Sequence, residues 1–182
     1  IPGKHQVSNA LLAGAVGLEL GISHHQIKKG LESTGKTDKR MEMIRVGGAT
    51  IINDAYNANP ESMKAAIDFI SEMPRKQGAK KIAVLGDMLE LGAQSEHFHR
   101  KLGQYVIGKS LDIVYCLGEE SRFIIEELRN GSSGDMRFEF FDTYEQVVEQ
   151  LRRVLQQGDV CLLKGSRGMA LENIINLLQN KD

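Results

Sequence analysis

Over most of its length, the chain alternates short apolar runs with amphipathic stretches. The runs Ile82–Leu85 and Val160–Leu163 contain no charged residue, which is typical of parallel strands covered on both faces. A polar, glycine-containing loop and a helical pattern follow each run. We therefore predict an α/β fold, in which right-handed β-α-β units form a Rossmann-like, mostly parallel sheet flanked by helices and preceded by a small helical segment.

Turn and capping residues place the individual elements. Gly47-Gly48 suits a tight hairpin, and Ser8, Asn59 and Thr143 are the expected caps of three helices. The predicted helices cover 9–20, 24–29, 60–73, 95–109, 119–130 and 144–156, with a last one ending near 179, and the predicted strands cover 41–46, 49–53, 81–85, 112–117, 137–141 and 159–163. The polar segment 33–39 is predicted to be a linker.

Composition argues against several classes of protein. The 182 residues carry 23 Lys+Arg against 24 Asp+Glu, a balance that argues against a nucleic-acid or membrane partner. The most apolar stretch, 10–18, is too short for a membrane span, and no signal peptide is visible. Cys116 and Cys161 lie in apolar runs, so we expect buried, reduced thiols in a cytoplasmic protein. We also expect the protein to be a monomer. The first residue is not Met, as in a piece of a longer protein.

One segment matches a phosphate-binding loop by its letters alone. Residues 30–37 read Gly-Leu-Glu-Ser-Thr-Gly-Lys-Thr, a pattern whose backbone N–H groups and lysine can cradle a nucleotide. That function requires a strand before the loop and a helix after it. Here a helix is predicted before the segment and a strand after it, so we interpret Lys36 as a linker residue.

Polar clusters follow two of the predicted strands, at the edge where sheets of this kind bind ligands. Asp54 follows one strand and can accept hydrogen bonds from ribose hydroxyls or hold a cation; the structural alternative is an asparagine-rich turn with a helix cap. Lys164, Ser166 and Arg167 follow the last strand and form either a site for an anion or carboxylate, or simply a cationic loop.

A third cluster, Leu-Gly-Asp-Met-Leu-Glu-Leu-Gly over 85–92, also follows a strand. Its carboxylates are candidates for ligand binding, and a solvated loop explains them equally well. His97 and His99 are two residues apart, so a helix would point them in different directions. We therefore predict no metal site in this chain.

Taken in order, these segments resemble the Mur ligase family. The stretches that carry the resemblance are Gly3-Lys4-His5-Gln6, Arg40-Met41-Glu42, Asp54-Ala55-Tyr56-Asn57-Ala58-Asn59-Pro60, Leu85–Gly92 and Lys164–Arg167. They look most like the members that join D-alanyl-D-alanine to a UDP-N-acetylmuramoyl-tripeptide. The resemblance implies that residues 1–37 are the tail of a central ATPase domain and 38–182 a C-terminal domain, with the phosphate loop and most Mg²⁺ ligands in a preceding part.

The resemblance also implies ATP and Mg²⁺ as cofactors, an acyl-phosphate intermediate and a role for each site residue. On the nucleotide side, adenine would contact His5, Gln6 and Asn9, the phosphates would contact Arg40, and the ribose would contact Asp54. The substrates would be bound by Tyr56, Asn57, Asn59 and Asp87, and the catalytic group would be Lys164, Ser166 and Arg167. Gln6 and Lys39 depart from the family, which has Asn and Gly there.

Three other functions compete with this interpretation. No Gly-x-Gly-x-x-Gly follows a predicted strand, which argues against a nicotinamide-dependent oxidoreductase. The Asn-Ala-Asn-Pro and Leu-Gly-Asp-Met stretches speak against a ligase domain of the folylpolyglutamate-synthetase type. A non-catalytic nucleotide-binding module remains a third possibility.

Overall fold

A computed structural model describes residues 4–33, 40–132 and 134–180, and six of its strands form one sheet. Strands β1–β6 cover Glu42–Val46, Ala49–Asn53, Lys81–Gly86, Ile113–Leu117, Arg137–Phe141 and Val160–Lys164, and helices α1–α7 cover Lys4–Glu19, His24–Ser33, Pro60–Glu72, Ser95–Ile107, Arg122–Gly131, Tyr144–Val154 and Glu172–Gln179. The strand order is β1-β2-β6-β3-β4-β5, and every neighbouring pair is parallel except the β1–β2 hairpin. The predicted α/β fold with a mostly parallel sheet is confirmed.

The sheet carries two hydrophobic cores, one on each face. Because successive residues of a strand point to opposite faces, Leu162 packs with helices α3, α4 and α5, whereas Leu163 packs with α6 and α7. Strands β3 and β4 are buried along their whole length, and the apolar run Ile82–Leu85 predicts this for β3. Helices thus cover both faces, and the polar groups that follow the strands emerge only at the ends of the sheet.

The hairpin decides what lies at the carboxyl edge of the sheet, which is the edge where the parallel strands end. Glu42 at the start of β1 pairs with Asn53 at the end of β2, which in turn pairs with Leu163 near the end of β6. Since β1 runs against the other strands, its beginning lies at this carboxyl edge. Arg40, two residues before β1, is therefore brought next to the loops that follow β2 and β6.

Two of the predicted helix caps are confirmed in full. The Asn59 side chain accepts a hydrogen bond from the backbone N–H of Ser62 at 2.8 Å, and the Ser62 hydroxyl accepts one from the Asn59 N–H at 3.0 Å. Thr143 forms the same reciprocal arrangement with Gln146 at the start of α6. Each cap satisfies N–H groups that the first helical turn leaves without partners, so these two helices begin where the sequence predicts.

Three predicted boundaries were wrong. Helix α1 already includes Lys4, so Ser8 lies inside the helix rather than at its cap, because the residues before it also favour a helix. Helix α5 begins at Arg122 rather than Glu119, since the preceding residues form a turn. Helix α2 continues to Ser33 rather than ending at residue 29, and so enters the segment predicted to be a linker. After the last strand, a 3-10 turn, Arg167–Met169, precedes α7.

The helices before the sheet account for part of the phosphate-loop-like segment. Helix α2 includes residues 30–33, and the next described element is a strand, which agrees with the interpretation of this segment as a chance match. Ser33, the first residue of the predicted linker, ends α2, and residues 34–39, which include Lys36, lie outside the described residues. Across the described ranges, no helix is both long and apolar enough to cross a membrane.

Both cysteines are buried and unpaired, as predicted. Cys116 belongs to the core on one face of the sheet and Cys161 to the core on the other. Burial raises the pKa of both thiols, which keeps them protonated and unreactive.

Candidate functional site

An open rim of side chains lies at the carboxyl edge of the sheet. Arg40, Asn57 and Arg167 are exposed there, and Tyr56 is partly exposed. The guanidinium carbon of Arg40 lies 4.3 Å from the centre of the Tyr56 ring, and that of Arg167 lies 5.4 Å from the same centre. Within the described ranges, neither guanidinium forms an ion pair, so two cationic groups remain open to an anionic ligand.

A buried ion pair supports this rim from below. The Lys164 ammonium lies 2.6 Å from Asp54 Oδ2 and also donates to the backbone carbonyl oxygens of Asn57 at 2.9 Å and Asp54 at 3.4 Å. Burial lowers the pKa of Lys164, although the neighbouring Asp54 opposes the shift. The Lys164 side chain is only 2% exposed, so this lysine fixes the shape of the loop after β2 from beneath.

Asp54 keeps some capacity to bind a ligand. Its Oδ1 accepts a hydrogen bond from the Met41 N–H at 3.2 Å, while its Oδ2 is held by Lys164. Each carboxylate oxygen can accept more than one hydrogen bond, and the Asp54 side chain is 14% exposed. The carboxylate is therefore both oriented by the protein and still reachable from the rim.

Ser166 ties three loops together. Its hydroxyl accepts a hydrogen bond from the Leu89 N–H at 2.8 Å and reaches the Ala58 carbonyl oxygen at 3.5 Å, and its own N–H donates to the Asp87 carbonyl oxygen at 2.9 Å. Ser166 is buried. These bonds join the loop after β6 to the loops after β2 and β3, which are its two neighbours in the sheet.

Asp87 faces inward, towards the loop that follows β4. Its Oδ1 accepts a hydrogen bond from the Ser121 N–H at 2.7 Å. Burial raises the pKa of the Asp87 carboxyl, against the lowering effect of the backbone N–H groups of Ser121 and Glu120. A Cβ atom on Gly118 would lie 2.5 Å from Asp87 Oδ1, so only glycine leaves room for this carboxylate. The substrate contact predicted for Asp87 stays a prediction.

His99 completes the buried support. Its Nε2 lies 3.0 Å from the Met88 N–H, which can only donate, and its Nδ1 lies 2.8 Å from the Ser95 carbonyl oxygen, which can only accept. The two bonds together require a neutral imidazole with its proton on Nδ1. The sequence analysis considered His99 only as a metal ligand and missed this role. It also missed Ser121, for which the available signal was a serine three residues after the glycine that follows β4.

The remaining predicted residues are placed as follows. Asn59 caps α3, and Asn57 accepts a hydrogen bond from the Ala58 N–H at 2.9 Å. Asn9 lies on α1 with its side chain exposed. His5 and Gln6 belong to the same helix, but their side chains lie outside what the structure describes. The roles predicted for these five residues stay predictions.

The described residues do not form a complete metal site. No group of three or more His, Cys, Asp or Glu side chains comes together within these ranges. Asp54, the carboxylate that reaches the rim, already pairs with Lys164. The Mg²⁺ cofactor that the resemblance implies therefore stays a prediction.

Comparison with known proteins defines the class to which this fold and this strand-end site belong. The sequence model of the Mur ligase glutamate ligase domain matches residues 39–167, and the chain belongs to the Mur ligase family. The UDP-N-acetylmuramoyl-tripeptide–D-alanyl-D-alanine ligase of Bacillus subtilis is 39% identical over 176 residues, which cover 96% of this chain and 38% of that protein. The chain thus spans little more than a third of the length of this relative.

Solved structures agree with this relationship. A crystal structure of MurF from Acinetobacter baumannii superposes with a TM-score of 0.84 at 30% identity and covers the whole chain and 38% of its own. MurF from Thermotoga maritima in complex with ADP gives a TM-score of 0.77 at 27% identity, covering 98% of this chain and 38% of its own. Similarity therefore extends over both the helical segment and the sheet.

Proposed function

We propose that this chain is the C-terminal part of an ATP-dependent ligase that joins D-alanyl-D-alanine to UDP-N-acetylmuramoyl-tripeptide in peptidoglycan precursor synthesis. The observation that carries the proposal is the 39% identity, over 96% of the chain, to a relative named for this reaction. The folylpolyglutamate-synthetase alternative is not favoured, because two relatives that are 39% and 32% identical over nearly the whole chain carry the D-alanyl-D-alanine ligase name.

The helical segment supports a division of the chain at the predicted linker. Helix α1 exposes a set of apolar side chains that are each about half or more exposed, namely Val7, Leu11, Leu12, Val16 and Leu18. The family match begins only at residue 39. A helix whose exposed surface carries this many apolar side chains favours a protein partner. We assign residues 1–37 to the end of a central ATPase domain, whose remainder would cover this surface, and residues 38–182 to the C-terminal domain.

The rim residues suit the two small substrates. Arg40 would meet the phosphates of ATP, and Asp54 would accept hydrogen bonds from the ribose hydroxyls. Arg167 would hold the carboxylate of D-alanyl-D-alanine, because a planar guanidinium can form two parallel bonds to it. The dipeptide amine would then be free to attack the acyl phosphate of the UDP-sugar peptide. Adenine contacts of His5, Gln6 and Asn9 complete the assignment, and Asn57 borders the dipeptide.

The buried residues Lys164 and Ser166 would act on the reaction only by holding other residues in place. Lys164 is held by Asp54 and by two backbone carbonyl groups, and Ser166 by its bonds to three loops. We assign both a positioning role, in which they fix the loops that present Asp54, Tyr56 and Arg167. Electrostatic stabilisation of the developing charge then depends on groups that are already oriented before the substrates arrive.

A ligation assay on the full-length protein tests the proposal. ADP release is expected only when ATP, UDP-N-acetylmuramoyl-tripeptide and D-alanyl-D-alanine are all present, and the chain of 182 residues alone is expected to release none. ADP release that does not depend on D-alanyl-D-alanine would contradict the proposed substrate.

The Arg167→Lys variant tests the carboxylate contact within that assay. Losing one of two charge-assisted hydrogen bonds costs about 1.5 kcal/mol, so the KM for D-alanyl-D-alanine is expected to rise about tenfold while the KM for ATP stays the same. Arg75→Lys is the matched control, since Arg75 pairs with Asp112 at the opposite edge of the sheet. An unchanged dipeptide KM would remove Arg167 from the dipeptide site.

A further inference from the structure

The Tyr56 ring contacts both open guanidinium groups of the rim. Tyr56 follows β2, which lies between β1 and β6 in the sheet, whereas Arg40 precedes β1 and Arg167 follows β6. Tyr56 therefore connects two arginines that are far apart in the sequence. Both guanidinium carbons lie within 6 Å of the ring centre, which is the range of an attractive cation–π contact.

These ring contacts are the interactions that the structure shows for the two guanidinium groups. In the described part of the chain, Arg40 and Arg167 have no carboxylate partner. A long, exposed arginine side chain samples many rotamers, and fixing it on a ligand costs conformational entropy. An aromatic face that already holds the guanidinium removes part of that cost and also offsets the repulsion between two nearby positive charges.

The ring of Tyr56, rather than its hydroxyl, holds the two guanidinium groups. Within the described ranges the Tyr56 hydroxyl forms no hydrogen bond. Tyr105 on α4 differs in this respect, because its hydroxyl donates to Asp68 at 2.8 Å while Lys109 lies 4.0 Å from its ring centre. A phenylalanine at position 56 would keep both guanidinium contacts.

We propose that Tyr56 is a positioning residue that orients Arg40 and Arg167 together and so links the phosphate-binding and carboxylate-binding halves of the site. This inference rests on the proposed function, which gives Arg40 to the nucleotide phosphates and Arg167 to the dipeptide carboxylate. It adds that the two binding steps depend on one shared aromatic ring.

The test compares four variants and one control variant of the full-length enzyme by steady-state kinetics and by calorimetric binding of ATP. Tyr56→Leu is expected to raise the KM for ATP and the KM for D-alanyl-D-alanine together, each about two- to fivefold, the factor that corresponds to an exposed cation–π contact of about 0.5–1 kcal/mol. ATP binding weakens by a similar factor. Tyr56→Phe retains the ring and is expected to stay within about twofold of the wild type in every measurement.

Two further variants separate failure of this inference from failure of the proposed function. Arg40→Ala is expected to raise chiefly the KM for ATP and Arg167→Ala chiefly that for the dipeptide. Suppose that both arginine variants raise the KM values expected of them. The linking role of Tyr56 is then wrong if Tyr56→Leu changes only one of the two KM values. It is also wrong if Tyr56→Phe raises the KM values as much as Tyr56→Leu does. If neither arginine variant changes a KM, the proposed site itself is wrong.

A control on α4 excludes a general effect of losing a tyrosine ring. Tyr105→Leu also removes a ring that faces a cation, but Tyr105 contacts Lys109 and Asp68 rather than the rim. It is expected to lower thermal stability and leave both KM values unchanged. If Tyr105→Leu raises both KM values as much as Tyr56→Leu does, the effect at position 56 is not specific and the inference fails.

Discussion

Charged side chains have different interactions at the two ends of the sheet. At the amino end, Asp159 accepts from the backbone N–H groups of Lys80 at 2.7 Å and Gln156 at 2.9 Å. Asp112 accepts from the Lys81 N–H at 2.7 Å and pairs with Arg75 at 2.9 Å. The carboxylates there are used to fix the starts of strands.

At the carboxyl end of the sheet, two positively charged side chains stay available to a ligand. Its buried groups, Lys164 with Asp54 and Asp87 with Ser121, are satisfied within the protein much as at the amino end. Above them, however, Arg40 and Arg167 contact an aromatic ring instead of an acid. The comparison shows two kinds of charged residue. Those that are buried and paired hold loops in shape, whereas an exposed cation that contacts no acid is available to a ligand.

The largest effect is expected from removing the buried lysine. Lys164→Ala leaves the Asp54 carboxylate largely buried without its partner, which is expected to lower the free energy of unfolding by about 3 kcal/mol in chemical denaturation. Lys80→Ala is the control at the amino end, because the Lys80 ammonium lies 3.9 Å from Asp159 and is 25% exposed. That change is expected to cost less than about 1 kcal/mol. Equal losses of unfolding free energy in the two variants would contradict the different roles assigned to Lys164 and Lys80.

A smaller effect is expected where a glycine makes room for the Asp87 carboxylate. Gly118 has a φ of +116° and lies where a Cβ atom would meet Asp87 Oδ1. Gly118→Ala is expected to lower the free energy of unfolding by about 2–3 kcal/mol, from backbone strain and the clash together.

Gly78→Ala isolates the backbone strain from the clash. Gly78 has a φ of +77°, and no atom lies within 4 Å of the place that a Cβ atom would occupy there. The Gly78→Ala change is therefore expected to lower the free energy of unfolding by about 1 kcal/mol. A Gly118→Ala variant no worse than Gly78→Ala would show that the loop after β4 moves freely away from Asp87.

The smallest effect concerns pH. Because burial raises the pKa of Asp87, the folded protein binds this proton more tightly than the unfolded chain does. This contribution to stability is therefore present at acid pH and lost as the pH rises through the folded-state value. Asp87→Asn keeps an oxygen that accepts the Ser121 hydrogen bond but removes the charge. The Tm of the variant is therefore expected to increase relative to that of the wild type as the pH rises from about 4 to about 7.

The exposed Asp142 supplies the matched control for that measurement. Asp142→Asn replaces an exposed carboxylate with an amide, so it measures what the loss of one negative charge alone does to Tm across the same range of pH. A difference in Tm between Asp87→Asn and the wild type that stays constant with pH would mean that the Asp87 carboxyl does not titrate differently on folding.

Local chemistry was enough to predict most of the secondary structure. Asn59 and Thr143 cap their helices through side chains three residues away, and the unbroken apolar run of β3 signals burial on both faces. Such signals depend on neighbours within one turn or one strand. The boundaries that failed, at Ser8, after Lys29 and at Glu119, lie where a helix continues past its predicted end or cap, or where a turn precedes the helix.

The sequence by itself therefore determined the fold class, the family resemblance and which loops follow the strands. Only the tertiary structure decided which polar residues of those loops are buried and which are open. Lys164 reaches a backbone carbonyl 110 residues away, because β6 lies between β2 and β3 in the sheet rather than in sequence order. Burial and ion pairing of a side chain depend on such distant neighbours, and no local pattern around Lys164 or Tyr56 contains them.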